Sequence, residues 1–334
     1  MNILAIESSC DETSAAILSD RKVIALVTAT QSVHEQYGGV VPELASRAHQ
    51  SNIVPVVSAC LKQSSLSLSD IEVLAVTEGP GLMGSLHVGV SFMKSLSMTC
   101  GLPLLGINHM RGHVLAHCIE GQYEEEITFP FLCLTVSGGH TQVVQVLSPT
   151  EMQVLASTKD DAAGEAIDKG AKLLGLPYPG GPVMDKQSQH GNSERFKFSS
   201  AKMEDQHFSF SGLKTSLLYF LQKEKQLQPQ FIENHLADLC ASYQRAVVDY
   251  LIDVFVKNWK QHPYSCIALA GGVSANSYLR KRWKELERQL NVKAFVPHFE
   301  YCTDNAAMIG ITAYYEYLKG YQKRGIVPQP RLSI

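Results

Sequence analysis

One pattern of apolar and polar stretches occurs twice in this chain, and it constrains the fold more than any other feature. The first copy opens with two short apolar runs, residues 3–7 and 15–18, around the polar turn Ser8-Ser9-Cys10-Asp11-Glu12-Thr13-Ser14, which reads as a hairpin. A third strand at 23–27 follows the turn Asp20-Arg21-Lys22. A helix then starts near Pro42 and runs toward Cys60, with Pro55 as an expected interruption. Strand 73–77, a helix over 84–98 and strand 104–107 complete the copy. The second copy begins with strands 131–136 and 143–147 around Ser137-Gly138-Gly139-His140-Thr141, followed by strand 152–157 and helix 163–174. After an insertion at about 175–245 it resumes with strand 266–270, a helix from 275, strand 293–296 and a last helix from 304.

Such a duplication predicts an α/β fold of two similar lobes, 1–128 and 129–334, facing a cleft. Proteins of the actin, Hsp70 and sugar-kinase type, the actin-like ATPase (ASKHA) class, are built this way and hold nucleotide between their lobes. A chain of 334 residues is long enough for two cores. Its formal net charge of −3 advertises no nucleic-acid binder, so such a partner would have to meet local basic patches. Arg280, Lys281, Arg282 and Lys284 form one such patch, and Arg195, Lys197 and Lys202 another. Eight cysteines without a C-x-x-C pair fit a reducing compartment better than a disulfide framework. With no membrane-length apolar run and no signal-peptide pattern, a cytoplasmic protein with no membrane partner is expected.

The segment Asn108-His109-Met110-Arg111-Gly112-His113 carries the most specific chemistry. Histidines at i and i+4 leave the same helical face one turn apart, a spacing that suits two nitrogen ligands of one transition metal. The alternative is a helix that merely carries two histidines. Met110 stands where a zinc peptidase of the H-E-x-x-H type needs its glutamate, so that activity is disfavoured. Asp304 opens a later helix, either as its cap or as a carboxylate completing a metal site that would join the two lobes. In the turn after Val136, Gly138 and Gly139 let backbone approach a phosphate, while Ser137 and Thr141 add hydroxyls; a plain β-turn is the alternative. Glu165 and Asp168 share a helical face suited to ribose hydroxyls or to solvent. Gly271-Gly272-Val273-Ser274-Ala275-Asn276 opens a helix with Ser274 as its expected cap. It matches neither a Walker loop nor a dinucleotide fingerprint.

Taken in order, these strings resemble the TsaD family, the universal tRNA threonylcarbamoyladenosine transferases. The resemblance rests on Ile6-Glu7-Ser8-Ser9-Cys10-Asp11-Glu12-Thr13, Glu78-Gly79-Pro80-Gly81-Leu82, Asn108-His109 with Gly112-His113, and Val136-Ser137-Gly138-Gly139-His140-Thr141. It continues through Asp161-Ala162-Ala163-Gly164-Glu165-Ala166, Tyr178-Pro179-Gly180-Gly181-Pro182, Phe208-Ser209-Phe210-Ser211-Gly212-Leu213-Lys214, Ala270-Gly271-Gly272-Val273-Ser274-Ala275-Asn276 and Cys302-Thr303-Asp304-Asn305. What the resemblance implies is an acyltransferase of actin-like fold. It would move a threonylcarbamoyl group from threonylcarbamoyl-adenylate to the exocyclic amine of the adenosine 3′ of the anticodon, in tRNAs reading codons that start with adenine, and release AMP. It also implies one Fe(2+) or Zn(2+) held by His109, His113 and Asp304. The adenine nucleotide, as threonylcarbamoyl-AMP or ATP, would lie against Thr135, Val136, Ser137, Gly138, Gly139, Asp168, Gly181, Asp185 and Asn276. Implied partners are tRNA, a truncated paralogue of TsaB type and a small P-loop ATPase of TsaE type, or the KEOPS complex in archaea and eukaryotes. The sequence departs at Arg111 and His117, where members often carry an acidic residue and a proline.

An adenine amine is a weak nucleophile, so a base for its proton is expected, with Glu7 and Asp11 as candidates. Two other classes fit the fold: a small-molecule kinase and a nucleotide-switched interaction protein. Neither calls for the histidine pair.

Overall fold

The computed structural model describes residues 1–199, 206–320 and 325–334. In chain order the strands and helices are β1 (Asn2–Glu7), β2 (Glu12–Ser19), β3 (Lys22–Thr30), α1 (Pro42–Ser64), β4 (Val73–Gly79), α2 (Met83–Cys100), β5 (Leu104–Asn108) and α3 (His109–Leu115). Then come β6 (Phe131–Val136), β7 (Thr141–Ser148), β8 (Glu151–Ser157), α4 (Ala163–Leu173), α5 (Gly180–Ser188), α6 (Ser211–Leu227) and α7 (Phe231–Gln261). The chain finishes with β9 (Cys266–Ala270), α8 (Ser277–Leu290), β10 (Lys293–Phe295) and α9 (Ala306–Leu318). Among the described residues no helix is long and apolar enough to cross a membrane.

Both predicted copies form five-stranded sheets with equivalent strand orders, β3-β2-β1-β4-β5 and β8-β7-β6-β9-β10. In the first, β1 pairs antiparallel with β2 and parallel with β4, which pairs parallel with β5. In the second, β6 and β9 run parallel, as do β9 and β10. The central strands β1, β4, β6 and β9 are almost wholly buried, as continuous apolar runs require when both faces of a sheet are covered.

The chain divides into two compact units that are not the lobes the duplication predicts. One comprises Met1–Phe129, Val146–Met152 and Pro297–Ile334; the other comprises Pro130–Gln145 and Gln153–Val296. Residues 297–334, expected in the C-terminal lobe, therefore belong to the N-terminal unit. The cause is the run Ala306 to Ala313, fully buried in α9, which packs on β1 and β2. At Gly310 a side chain would run into Leu18 of β2.

Two further expectations change. Pro55 does not interrupt α1, because Ile53, Val56, Val57 and Cys60 around it stay buried on one face. The insertion does not end near 245 either. In α7 the residues Leu239, Tyr243, Val247, Leu251 and Phe255 recur every four positions and remain buried, so the helix continues to Gln261.

Candidate metal and nucleotide sites

Residue Asn108 ends β5 and caps α3, its Oδ1 accepting from Arg111 N at 3.1 Å. This start places His109 and His113 one turn apart, with ring centroids 4.7 Å apart. Gly112 between them faces α9: an added Cβ would lie 3.1 Å from Met308 Cγ. The helix α9 is capped by Asn305, whose Oδ1 accepts from Met308 N at 3.0 Å. Asp304 is thus not the cap, and its carboxylate is left for the histidines. Oδ1 lies 3.1 Å from His113 Nε2 and 3.4 Å from His109 Nε2. Among the described residues these three form a group whose ligand atoms lie within 4.8 Å of one another, all in the first unit. The three are therefore not divided between the two units, as the expected lobe-joining ligand set requires.

A second layer orients His109. Its Nδ1 lies 3.0 Å from Glu7 Oε2 and 3.1 Å from Ser9 Oγ. Glu7, wholly buried, also accepts from Thr77 Oγ1 and from Ser9 N, each at 2.5 Å. Burial opposes a charge on His109, but Asp304 and Glu7 outweigh it and hold the imidazole well above its ordinary pKa. Burial likewise opposes ionisation of Asp304, yet the imidazoles hold its carboxyl well below the usual carboxylate range. Two Nε2 atoms and one carboxylate, with a second carboxylate on the far nitrogen of a histidine, are a donor set that fits a divalent transition metal. Burial, with Asp304 and Asp11 alongside, pushes nearby Glu12 up to about 9.

The second unit holds a cavity of about 310 Å³. Gly138, Asp168, Gly181, Asp185 and Asn276 line it, together with Gly272. The turn at its edge closes on itself: Ser137 N donates to His140 O at 2.8 Å, and His140 N donates to Ser137 Oγ at 3.1 Å. Nothing lies within 4 Å of a Cβ added at Gly138 or Gly139, so their backbone is open to a ligand. Thr141 does not face a ligand; its hydroxyl accepts from Ala163 N at 2.9 Å and starts α4. Asp168 Oδ1 accepts from Gly181 N at 3.0 Å, and burial raises its pKa. Gly271 needs its glycine: at φ +86° an added Cβ would lie 2.5 Å from the Val136 carbonyl oxygen.

Of the nine residues the resemblance assigned to nucleotide, five line this cavity. Thr135 and Val136 are buried in β6 behind the turn, and Ser137 and Gly139 are outside the lining. The cap of α8 is Asn276, accepting from Leu279 N at 3.0 Å, and not Ser274, which is buried in the preceding turn. The amide of Asn276 reaches Asp185 Oδ1 at 3.3 Å, and Asp185 also accepts from Ser277 Oγ at 2.8 Å and Gln244 Nε2 at 2.9 Å. Sequence reading missed Thr77, Glu12 and Gln244, which sit in segments read only as strand, turn and insertion.

Other sequence candidates are otherwise engaged. Arg111 donates to Pro149 O at 3.2 Å and lies 3.7 Å from Glu316, while His117 meets Tyr123 Oη at 2.6 Å. In the basic patches Arg282 pairs with Asp249, Arg280 donates to Ser274 O at 2.8 Å, and Arg195 pairs with Asp238 at 2.7 Å. Lys281 and Lys284 remain exposed, and Lys202 lies outside the described residues.

A family profile described as TsaD, tRNA N6-adenosine threonylcarbamoyltransferase, matches residues 22–311. A protein of that name from Christiangramia forsetii is 56% identical over 319 residues, 96% of this chain and 94% of its own. The one from Porphyromonas gingivalis is 50% identical over 335 residues, covering 99% and 98%. Among solved structures, HypF of T. kodakarensis superposes with a TM-score of 0.62 at 11% identity, over 96% of this chain and 48% of its own. The activator of the 2-hydroxyisocaproyl-CoA dehydratase from Clostridium difficile, with bound ADPNP, gives 0.51 at 14% identity over 97% and 100%. Those two likenesses show the fold alone, the α/β actin-like ATPase class. The profile and the relatives, matched over nearly their full length, show the rest: this chain is a member of the tRNA N6-adenosine threonylcarbamoyltransferase family, acyltransferases that modify tRNA.

Proposed function

We propose that the chain transfers the threonylcarbamoyl group from threonylcarbamoyl-adenylate to the exocyclic amine of the adenosine 3′ of the anticodon, in tRNAs reading codons that begin with adenine. The amine nitrogen attacks the carbamoyl carbon, the bond from that carbon to the phosphate oxygen breaks, AMP leaves, and the amine proton passes to a base. The observation that carries the reading is the group His109, His113 and Asp304 in a chain of this family. A divalent iron or zinc ion held there would supply Lewis acidity toward the threonylcarbamoyl oxygens. A bound ion would take the place of a proton on the Nε2 atoms of His109 and His113, and Glu7 fixes the ring of His109 by accepting from its Nδ1.

The adenylate is assigned to the cavity of the second unit. Open backbone at Gly138 approaches its phosphate, and Asp168 and Asp185 accept from ribose or base. Gln244, Ser277 and Asn276 hold the Asp185 carboxylate in place. For the amine proton Asp11 is the better base: it is partly exposed on the β1–β2 turn, whereas both oxygens of Glu7 are engaged. The target base leaves its stack to react, as enzymes acting on a base require.

The test is mass spectrometry of tRNA nucleosides after reaction of the purified protein with threonylcarbamoyl-adenylate. Threonylcarbamoyladenosine at that one position is expected, and its absence with active partners present would overturn the reading. On the family resemblance, a TsaB-type paralogue and a TsaE-type P-loop ATPase are proposed as those partners.

The cavity assignment has its own test. At Gly138 a valine has room, so the fold should survive, but its side chain would occupy the phosphate's approach. Calorimetry should show adenine-nucleotide affinity falling at least about tenfold in Gly138→Val, the equivalent of one lost charge-assisted hydrogen bond. Unchanged affinity would remove the glycine turn from the site.

A further inference from the structure

Residues 325–334 lie across the ends of β4 and β5, in the same unit as the histidines. Buried Glu78 at the end of β4 fastens them. Its backbone oxygen accepts from Gln329 N at 2.7 Å, and its Oε1 accepts from Gln329 Nε2 at 2.9 Å and Val327 N at 3.3 Å. Gly81 N donates to Pro330 O at 3.3 Å, and a side chain at Gly79 would run into the Gln329 carbonyl. The segment ends its run at the metal helix. Asn108 Nδ2 donates to Ser333 O at 2.9 Å, while the same carboxamide's oxygen caps α3.

We propose that residues 327–333 are a strap that positions the metal-binding helix through Asn108. The proposal rests on the metal reading above. Its physical case is that α3 spans seven residues, too few turns to fix its own direction. Aspartate would cap such a helix as well as asparagine does. Only asparagine also offers a donor, and the strap is where that donor goes. His109 follows directly, so a tilt of the cap moves a ligand atom, and ligand sets tolerate only about half an ångström.

The experiment compares the full chain with Asn108→Asp, with a chain shortened after Arg331, and with both changes together. Asn108→Asp keeps the cap and loses the donor; the shortened chain loses the Ser333 acceptor and keeps Gln329 and Pro330. Affinity for Zn(2+) alone is read by competition with a chelating dye, and melting temperature is read without metal. Each single change should weaken zinc binding about tenfold, the scale of a lost outer hydrogen bond. The double change should weaken it no further, because both remove one bond. Metal-free melting of Asn108→Asp should stay near the parent's. Affinity that holds in both single variants, or losses that multiply in the double, would overturn the strap. Histidine 113 separates this from the metal reading: if His113→Ala keeps its zinc, the site itself falls. Zinc lost there but kept in both strap variants sinks the strap alone.

Discussion

Asp304→Ala should cost the chain its metal and its transfer activity together, while its secondary structure survives. With Asp304 gone, two histidines remain, and catalytic sites of this kind use three protein ligands with a position left open. Loss of a direct ligand exceeds the roughly 10–100-fold that loss of an outer hydrogen-bond partner costs. The helix should persist because Asn305, not Asp304, caps α9, and because the buried run from Ala306 to Ala313 is untouched. Metal content, tRNA modification and circular dichroism of His109→Ala, His113→Ala and Asp304→Ala decide the matter. If the folded triple variant carries stoichiometric metal and modifies tRNA at the parent rate, the centre lies elsewhere.

Glu7→Gln is expected to have the next largest effect, and to act on the metal before the chemistry. Three donors converge on this buried carboxylate: Ser9 N, Thr77 Oγ1 and His109 Nδ1. An amide turns one oxygen into an NH2 group facing another donor, at a cost of about 1–3 kcal/mol for the unsatisfied group. His109 loses its orientation, and metal affinity should fall roughly 10–100-fold. A general base would behave differently, with kcat falling at unchanged metal affinity. Asp11→Asn is expected to show that second pattern. Should Glu7→Gln bind metal like the parent and lose kcat alone, Glu7 is the base after all.

The duplicated sheets were legible because apolar runs with polar turns report strand burial directly, and β9 falls on the run at 266–270 that the sequence marks. The histidine pair was legible for the same reason, since i, i+4 spacing is a local property of a helix. Long-range packing was not. Whether Asp304 or Asn305 caps α9 depends on a one-residue offset that both residue types satisfy equally. Sequence order also placed Asp304 with the second copy, whereas the side chains of α9 fit the β1–β2 surface. Glu7 looked like a free acid in a cleft because nothing in its neighbours along the chain announces Thr77, seventy residues away.

That α9 belongs to the first unit has a consequence for how the protein is made. The proposed metal ligands His113 and Asp304 are 191 residues apart, so a ribosome must deliver all of the second unit before the first can close. Until residues 297–334 emerge, the nascent chain exposes the surface of β1 and β2 that α9 will cover, and domains half made in this way are prone to aggregate. On the proposed metal reading, ion loading would be a late event in biogenesis, because a chain stalled before residue 304 offers only two of the three ligands.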